Sequence, residues 1–235
     1  MTNLLQSGII KHILTLNGGT MYKYVIFDLD GTLLNTLDDL ADAGNYALSA
    51  MGFPTHETEK YKYFVGNGIP KLIERIVPVN SDEAAVKRVH DIFSQYYEAH
   101  CLDKTKPYDK IPEMLKKLKS CGVKTAVATN KDHMFSVKLI NDFFGSNVDF
   151  VCGRKDGFPK KPDPYIVNLL IERLNAEKKE TLYVGDSNVD METALNAHLD
   201  SCGVLWGFRT EKELLESGAK HIAGNAEQLL DLIIS

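Results

Sequence analysis

The sequence predicts an α/β protein: a Rossmann-like parallel sheet with helices on both faces, plus a small all-helical insertion near its start. Three observations predict it. Short apolar runs, "YVIFD" (24–28), "VKTAVAT" (123–129) and "TLYVG" (181–185), read as strands buried on both faces. Helical patterns separate the later two, and a strand, helix, strand rhythm implies a parallel sheet covered on both sides. Between Leu37 and about Lys106 the apolar residues (Leu37, Leu40, Leu48; Leu72, Ile73, Ile76; Val86, Val89, Phe93) recur at helical spacing with no strand pattern.

Residues 1–20, "MTNLLQSGIIKHILTLNGGT", are too short and too interrupted by Lys11 and His12 to span a bilayer. Leu5, Ile9 and Ile13 fit a short amphipathic helix, and an alternative expectation takes Met21 as the natural start. Beyond the first strand, "DKTKP" ending at Pro107 reads as a hinge out of the insertion. "PEMLKKLKS" (112–120) is a helix stopped by Gly122, and "FSVKLINDFF" (135–144) one stopped by Gly145. "PYIVNLLIERL" starts with Pro164 at a helix beginning, and "VDMETALNA" (189–197) follows the third strand. The expected division is residues 1–20 as an extension, 21–36 with 107–235 as the α/β core, and 37–106 as the helical insertion.

With 235 residues, 44% hydrophobic content and a formal net charge of −5, the chain has enough apolar material for a sizeable core and no basic run for nucleic acid. The expected partner is a small molecule, which the motifs below make a phosphorylated metabolite, with no nucleic acid and no membrane, for a monomer or homodimer. Cys101, Cys121, Cys152 and Cys202 lie too far apart for a zinc site or a redox dithiol, which fits a reducing cytoplasm. The seven histidines are equally scattered and take no assigned chemistry.

Chemistry concentrates at strand ends, where ligands of open parallel sheets bind. In "DLDGT" (28–32), Asp28 and Asp30 stand two apart with Gly31 allowing a sharp turn. Two like charges so placed call for a cation, and Mg²⁺ takes carboxylate oxygens together with phosphate and water. "GDSNVD" adds Asp186 and, one helical turn later, Asp190. "ATNK" offers the Thr129 hydroxyl and the backbone N–H groups that follow, and "KKPDP" offers Lys160 or Lys161 to neutralise a phosphoryl group. In the insertion, "VGNGIPK" (65–71) gives Gly68 at a turn, with Lys71 and Arg75 as candidates to meet an anionic end of the substrate.

The ordered set "DLDGTL", "ATN", "KPDP" and "GDSNVD" resembles the haloacid dehalogenase superfamily of phosphatases, over residues 21 to about 235. The insertion resembles that superfamily's helical cap, and "GTLLNTLDDL" with "YFVGNGIPKLIERI" (63–76) is similar to its phosphoglycolate phosphatases. The match to "KPDP" selects Lys161. The resemblance implies Asp28 as nucleophile and Asp30 as general acid and base, with an aspartyl-phosphate intermediate. It implies Mg²⁺ held by the Asp28 side chain, the Asp30 backbone carbonyl and Asp186, with Asp190 assisting, and the phosphoryl group held by Thr129, the Asn130 backbone and Lys161. Asn35 departs from the pattern, because many relatives are acidic there. Rival expectations are a β-phosphoglucomutase-like phosphomutase, an inorganic pyrophosphatase, a broad sugar-phosphate phosphatase, and a phosphate-ligand binding module without turnover.

Overall fold

The computed structural model describes residues 22–235. The expectations for the first twenty residues, including the Met21 start, lie outside them. Six parallel strands form the sheet in the order β5-β4-β1-β6-β7-β8: β1 (Tyr24–Phe27), β4 (Lys124–Asp132), β5 (Phe150–Arg154), β6 (Thr181–Gly185), β7 (Asp200–Val204) and β8 (His221–Ala223). The three strands expected from sequence are the central β4, β1 and β6, with Phe27 opposite Val127 on one side and Val184 on the other. The period-two alternation sends their side chains to two separate cores. Val25, Phe27, Val127, Leu182 and Val184 pack against α5 (Ile111–Ser120), α6 (His133–Phe143) and α10 (Ala226–Ile234). Ile26, Ala126, Ala128 and Tyr183 pack against α7 (Tyr165–Leu174) and α8 (Asn188–Ala197). One further helix, α9 (Glu211–Glu216), follows β7.

The chain leaves this sheet through β2 (Leu34–Asn35) and re-enters it through β3 (Lys106–Pro107), which pair antiparallel, Leu34 with Pro107 and Asn35 with Lys106. Between them lie α1 (Leu37–Ala50), α2 (Tyr61–Phe64), α3 (Ile69–Ile76) and α4 (Glu83–His100). They share one core in which Leu48, Tyr61, Ile73, Phe93 and Tyr97 are fully buried. A four-residue helix such as α2 has no stability of its own. Burial of about 1.5–3 kcal/mol for each large apolar side chain is what holds these helices together. Phe208, from the loop after β7, inserts into the same core. Asp39, on the first turn of α1, is buried and accepts from the backbone N–H groups of Lys104 and Thr105 at 2.8–3.2 Å, so it clasps the returning linker. No helix among the described residues is long and apolar enough to cross a membrane.

Candidate active site

β1 lies between β4 and β6, where the strand order reverses, so their carboxyl ends open a crevice between diverging connections. Asp28 follows β1 directly, Thr129 to Lys131 occupy the end of β4, and Asp186 follows β6. The turn at Gly31 runs at φ +87°, and a Cβ there would collide with the Asp186 carboxylate; glycine is what allows the first motif to close over the last. Asp186 accepts from the Thr32 hydroxyl and from the backbone N–H of Phe208, each at 2.9 Å.

Asp28, Asp186 and Asp190 are buried, and each offers a carboxylate oxygen within 4.8 Å of the others. Lys161 Nζ stands 2.9 Å from Asp28 Oδ1, 2.7 Å from Asp190 Oδ1 and 3.1 Å from the Tyr183 hydroxyl. Asp190 has little left to offer a cation. Its Oδ1 serves Lys161 and Tyr183, and its Oδ2 accepts from the Ser187 backbone N–H at 3.1 Å and hydroxyl at 2.6 Å. Ser187 and Asp190 form the capping box that begins α8, so the same residues start the helix and fix the lysine.

Burial and the neighbouring Asp190 charge, only partly offset by Lys161, push the Asp28 carboxyl up to about 7. Burial, then Asp190 and Asp28, push Asp186 up to about 8. Burial opposes charge on Lys161, but Asp190 and Asp28 outweigh it and hold its pKa well above the ordinary lysine value. Full ionisation of Asp28, Asp30, Asp186 and Asp190 against the two ammonium groups of Lys161 and Lys131 would leave an excess of two negative charges. Asp28 Oδ1, though ion-paired, lacks an aligned hydrogen-bond donor. This oxygen-only donor set with an orphaned acceptor fits a hard divalent cation.

The metal-free protein should betray that strain. A carboxyl whose folded pKa is raised above its ordinary 3.8 stabilises the fold fully below about pH 4, and this contribution is lost as pH climbs through about 7 for Asp28 and about 8 for Asp186. In chelator, Tm should therefore fall between pH 5 and 9, and saturating Mg²⁺ should flatten the decline. A Tm in chelator that stays level or rises over that range contradicts the assignment.

The expected phosphoryl-binding residues converge less uniformly. Thr129 lines the cleft, and its Oγ1 accepts from the Lys131 backbone N–H at 3.2 Å. Asn130, whose backbone is the expected phosphoryl contact, also lines the cleft, and its side chain fixes the loop: it accepts from Lys161 N–H at 2.9 Å and donates to the carbonyls of Lys161 and, across to the helices, Gly66. Gly68 lines the cleft, but Lys71 and Arg75 do not. Lys71 pairs with Glu74 at 2.6 Å on the exposed side of α3. Arg75 donates to the Tyr63 and Phe64 carbonyls and to Asn67 Oδ1, tying the insertion together.

Two residues singled out by no sequence argument stand at the site. Lys131 is buried, with Nζ 3.0 and 3.3 Å from the Asp30 carboxylate oxygens and 2.8 Å from the hydroxyl of Tyr97 on α4. The available signal was the strand period: β4 continues through Asp132, so Thr129 and Lys131 share a face. Tyr97 carries no local signal, since it reads as one more apolar position of its helix. The cleft that Lys131 borders has Asp28, Asp30, Thr129 and Lys131 on the sheet side and Leu40, Val65, Ile69 and Leu72 on the helical side.

Comparisons with known proteins agree with this geometry. The profile of the haloacid dehalogenase-like hydrolases matches residues 25–204. A phosphoglycolate phosphatase of Vibrio vulnificus is 34% identical over 225 residues, covering 90% of this chain and 96% of that protein. One from Aquifex aeolicus is 31% identical over 187 residues, covering 79% and 86%. A crystal structure from Lactobacillus delbrueckii subsp. bulgaricus, provisionally described as a phosphoglycolate phosphatase, superposes with a TM-score of 0.87 at 33% identity, covering 92% of this chain and 99% of that one. With the motifs gathered at one crevice and the relatives matched over nearly their whole length, the chain belongs to the haloacid dehalogenase-like hydrolases and is a phosphoric monoester hydrolase similar to the phosphoglycolate phosphatases.

Proposed function

We propose that the chain is a Mg²⁺-dependent phosphatase acting on 2-phosphoglycolate in the cleft between the sheet and the helices of residues 37–106, which serve as its cap. The observation that carries this reading is the gathering of three buried carboxylates within 4.8 Å of one another beside Lys161. A mere phosphate binder has no use for so costly an acidic cluster.

An Asp28 carboxylate oxygen attacks phosphorus, the ester oxygen leaves, and an aspartyl phosphate forms. Asp30 gives the leaving oxygen its proton, then takes one from the water that hydrolyses the acyl phosphate. Lys161 and the Thr129 hydroxyl orient the phosphoryl oxygens, and Asp190 keeps the ammonium of Lys161 directed at them. Asp28, Asp186 and the Asp30 carbonyl would hold the cation, which supplies charge neutralisation between carboxylate and phosphate. Leu40, Val65, Ile69 and Leu72 exclude bulk water from the reacting groups.

A phosphate-release screen over 2-phosphoglycolate, hexose phosphates, nucleotides and pyrophosphate tests this. Phosphoglycolate should show the highest kcat/KM, with activity lost in chelator and restored by Mg²⁺. A preference for hexose phosphates or pyrophosphate, or full activity in chelator, would overturn it.

A further inference from the structure

We propose that the Lys131 ammonium, presented to the cleft between Asp30 and Tyr97, is the subsite for the carboxylate of the leaving group. The inference rests on the phosphoglycolate reading above and names the group that selects that substrate. Hydrolysis releases glycolate, whose carboxylate lies one methylene from the ester oxygen. An ester oxygen within proton-transfer reach of Asp30 therefore brings that carboxylate to the neighbourhood of Asp30's own partner, Lys131, which is 3.0 Å from Oδ1.

Other cations near the cleft are committed elsewhere. Lys161 donates to Asp190 and Tyr183, and its remaining N–H, beside Asp28, faces the phosphoryl group. Lys71 is neutralised by Glu74, and Arg75 is spent on carbonyls of its own layer. Lys131 is the one cationic side chain among the described residues that line the cleft. One N–H suffices for the Asp30 carboxylate, whose oxygens lie at 3.0 and 3.3 Å, and one for Tyr97 at 2.8 Å, which leaves a third. Leu40 and Leu72 wall the same cleft, and an ionic contact beside apolar walls is worth more than one in water.

The placement divides the subsite between two layers. Asp30 and Lys131 come from the sheet, whereas Tyr97 comes from α4, and its ring also stands 4.9 Å from Nζ. Tyr97 is thus a positioning residue, holding the ammonium only while the helices are seated over the sheet.

The test compares 2-phosphoglycolate with 2-hydroxyethyl phosphate, which replaces the carboxylate by a neutral hydroxymethyl group, in the full-length enzyme with Mg²⁺. The wild type should prefer phosphoglycolate. Lys131→Met should lower kcat/KM for phosphoglycolate about 30- to 100-fold more than for the neutral ester, the difference appearing chiefly in KM. Lys131→Arg should recover part of the preference, and glycolate should inhibit the wild type more strongly than Lys131→Met. Tyr97→Phe leaves the Lys131–Asp30 pair in place, so it guards against misfolding of the lysine variant; it should raise KM for phosphoglycolate about 3- to 10-fold more than for the neutral ester. Equal losses on both esters in both variants would mark the ion pair as structural and overturn the proposal. A wild type that hydrolyses both esters equally well would do the same while leaving the phosphatase reading intact; one that hydrolyses neither would instead overturn the reading beneath.

Discussion

Asp28→Asn should abolish phosphoglycolate hydrolysis, lowering kcat by about 10⁴-fold or more, because the amide offers no nucleophilic oxygen and residual binding cannot replace the lost covalent step. The fold should survive and, in chelator above pH 7, improve. Asp28 is held up near 7 by burial and by the Asp190 charge, so removing its charge relieves a repulsion that Lys161 only partly offsets. The expected signature is thus inverse: no phosphate release, and a Tm at pH 8 in chelator above that of the wild type. Measurable turnover in a preparation free of wild-type enzyme would remove Asp28 from the nucleophile's role.

Lys161→Met should have the other large effect, with the opposite stability change. The lysine is 3% exposed and contacts Asp28 and Asp190, and its loss leaves two buried carboxylates without their cation. Breaking a buried pair in this way costs about 3–5 kcal/mol. For a chain of this length that corresponds to a Tm lower by about 6–20 °C. Activity should fall about 10³-fold even under conditions where the variant is folded, since the phosphoryl group loses its point charge. Lys161→Arg should recover little, because the planar guanidinium does not fit between Asp28, Asp190 and Tyr183. Thermal melts and phosphate release together check both halves, and a variant as stable as the wild type would show the carboxylates to be protonated instead.

The central strands and the four motifs were legible because each has a dense local signature: continuous apolar runs for β1, β4 and β6, and Asp or Gly spacings fixed by turn geometry. β5, β7 and β8 were less so. "DSCGV" (200–204) and "HIA" (221–223) are short, mix polar and apolar residues, and become strands because an existing sheet edge accepts them. The ribbon of β2 and β3 was invisible, since two residues have no periodicity; β3 falls on the last two residues of "DKTKP". At the site, sequence indicated which residues were chemically suited but not where long side chains end. Lys71 and Arg75 have suitable charge near a suitable loop, yet find partners within their own layer. Lys131 stood unremarked inside "ATNK", because its importance lies in contacts to Asp30 and Tyr97, at separations of 101 and 34 residues.

The ribbon at the crossing carries a last consequence. Leu34 and Pro107 face each other across a ladder, so the helices enter and leave the sheet at one spot, about 5 Å apart. The helices reach the site only from above, through Tyr97 on Lys131, Gly66 on Asn130 and the seat they give Phe208. A graft of another helical module, with ends spaced like this one's, could re-tailor which leaving group is admitted while Asp28, Asp186, Asp190 and Lys161, whose side-chain partners all belong to the sheet layer, stayed where they are.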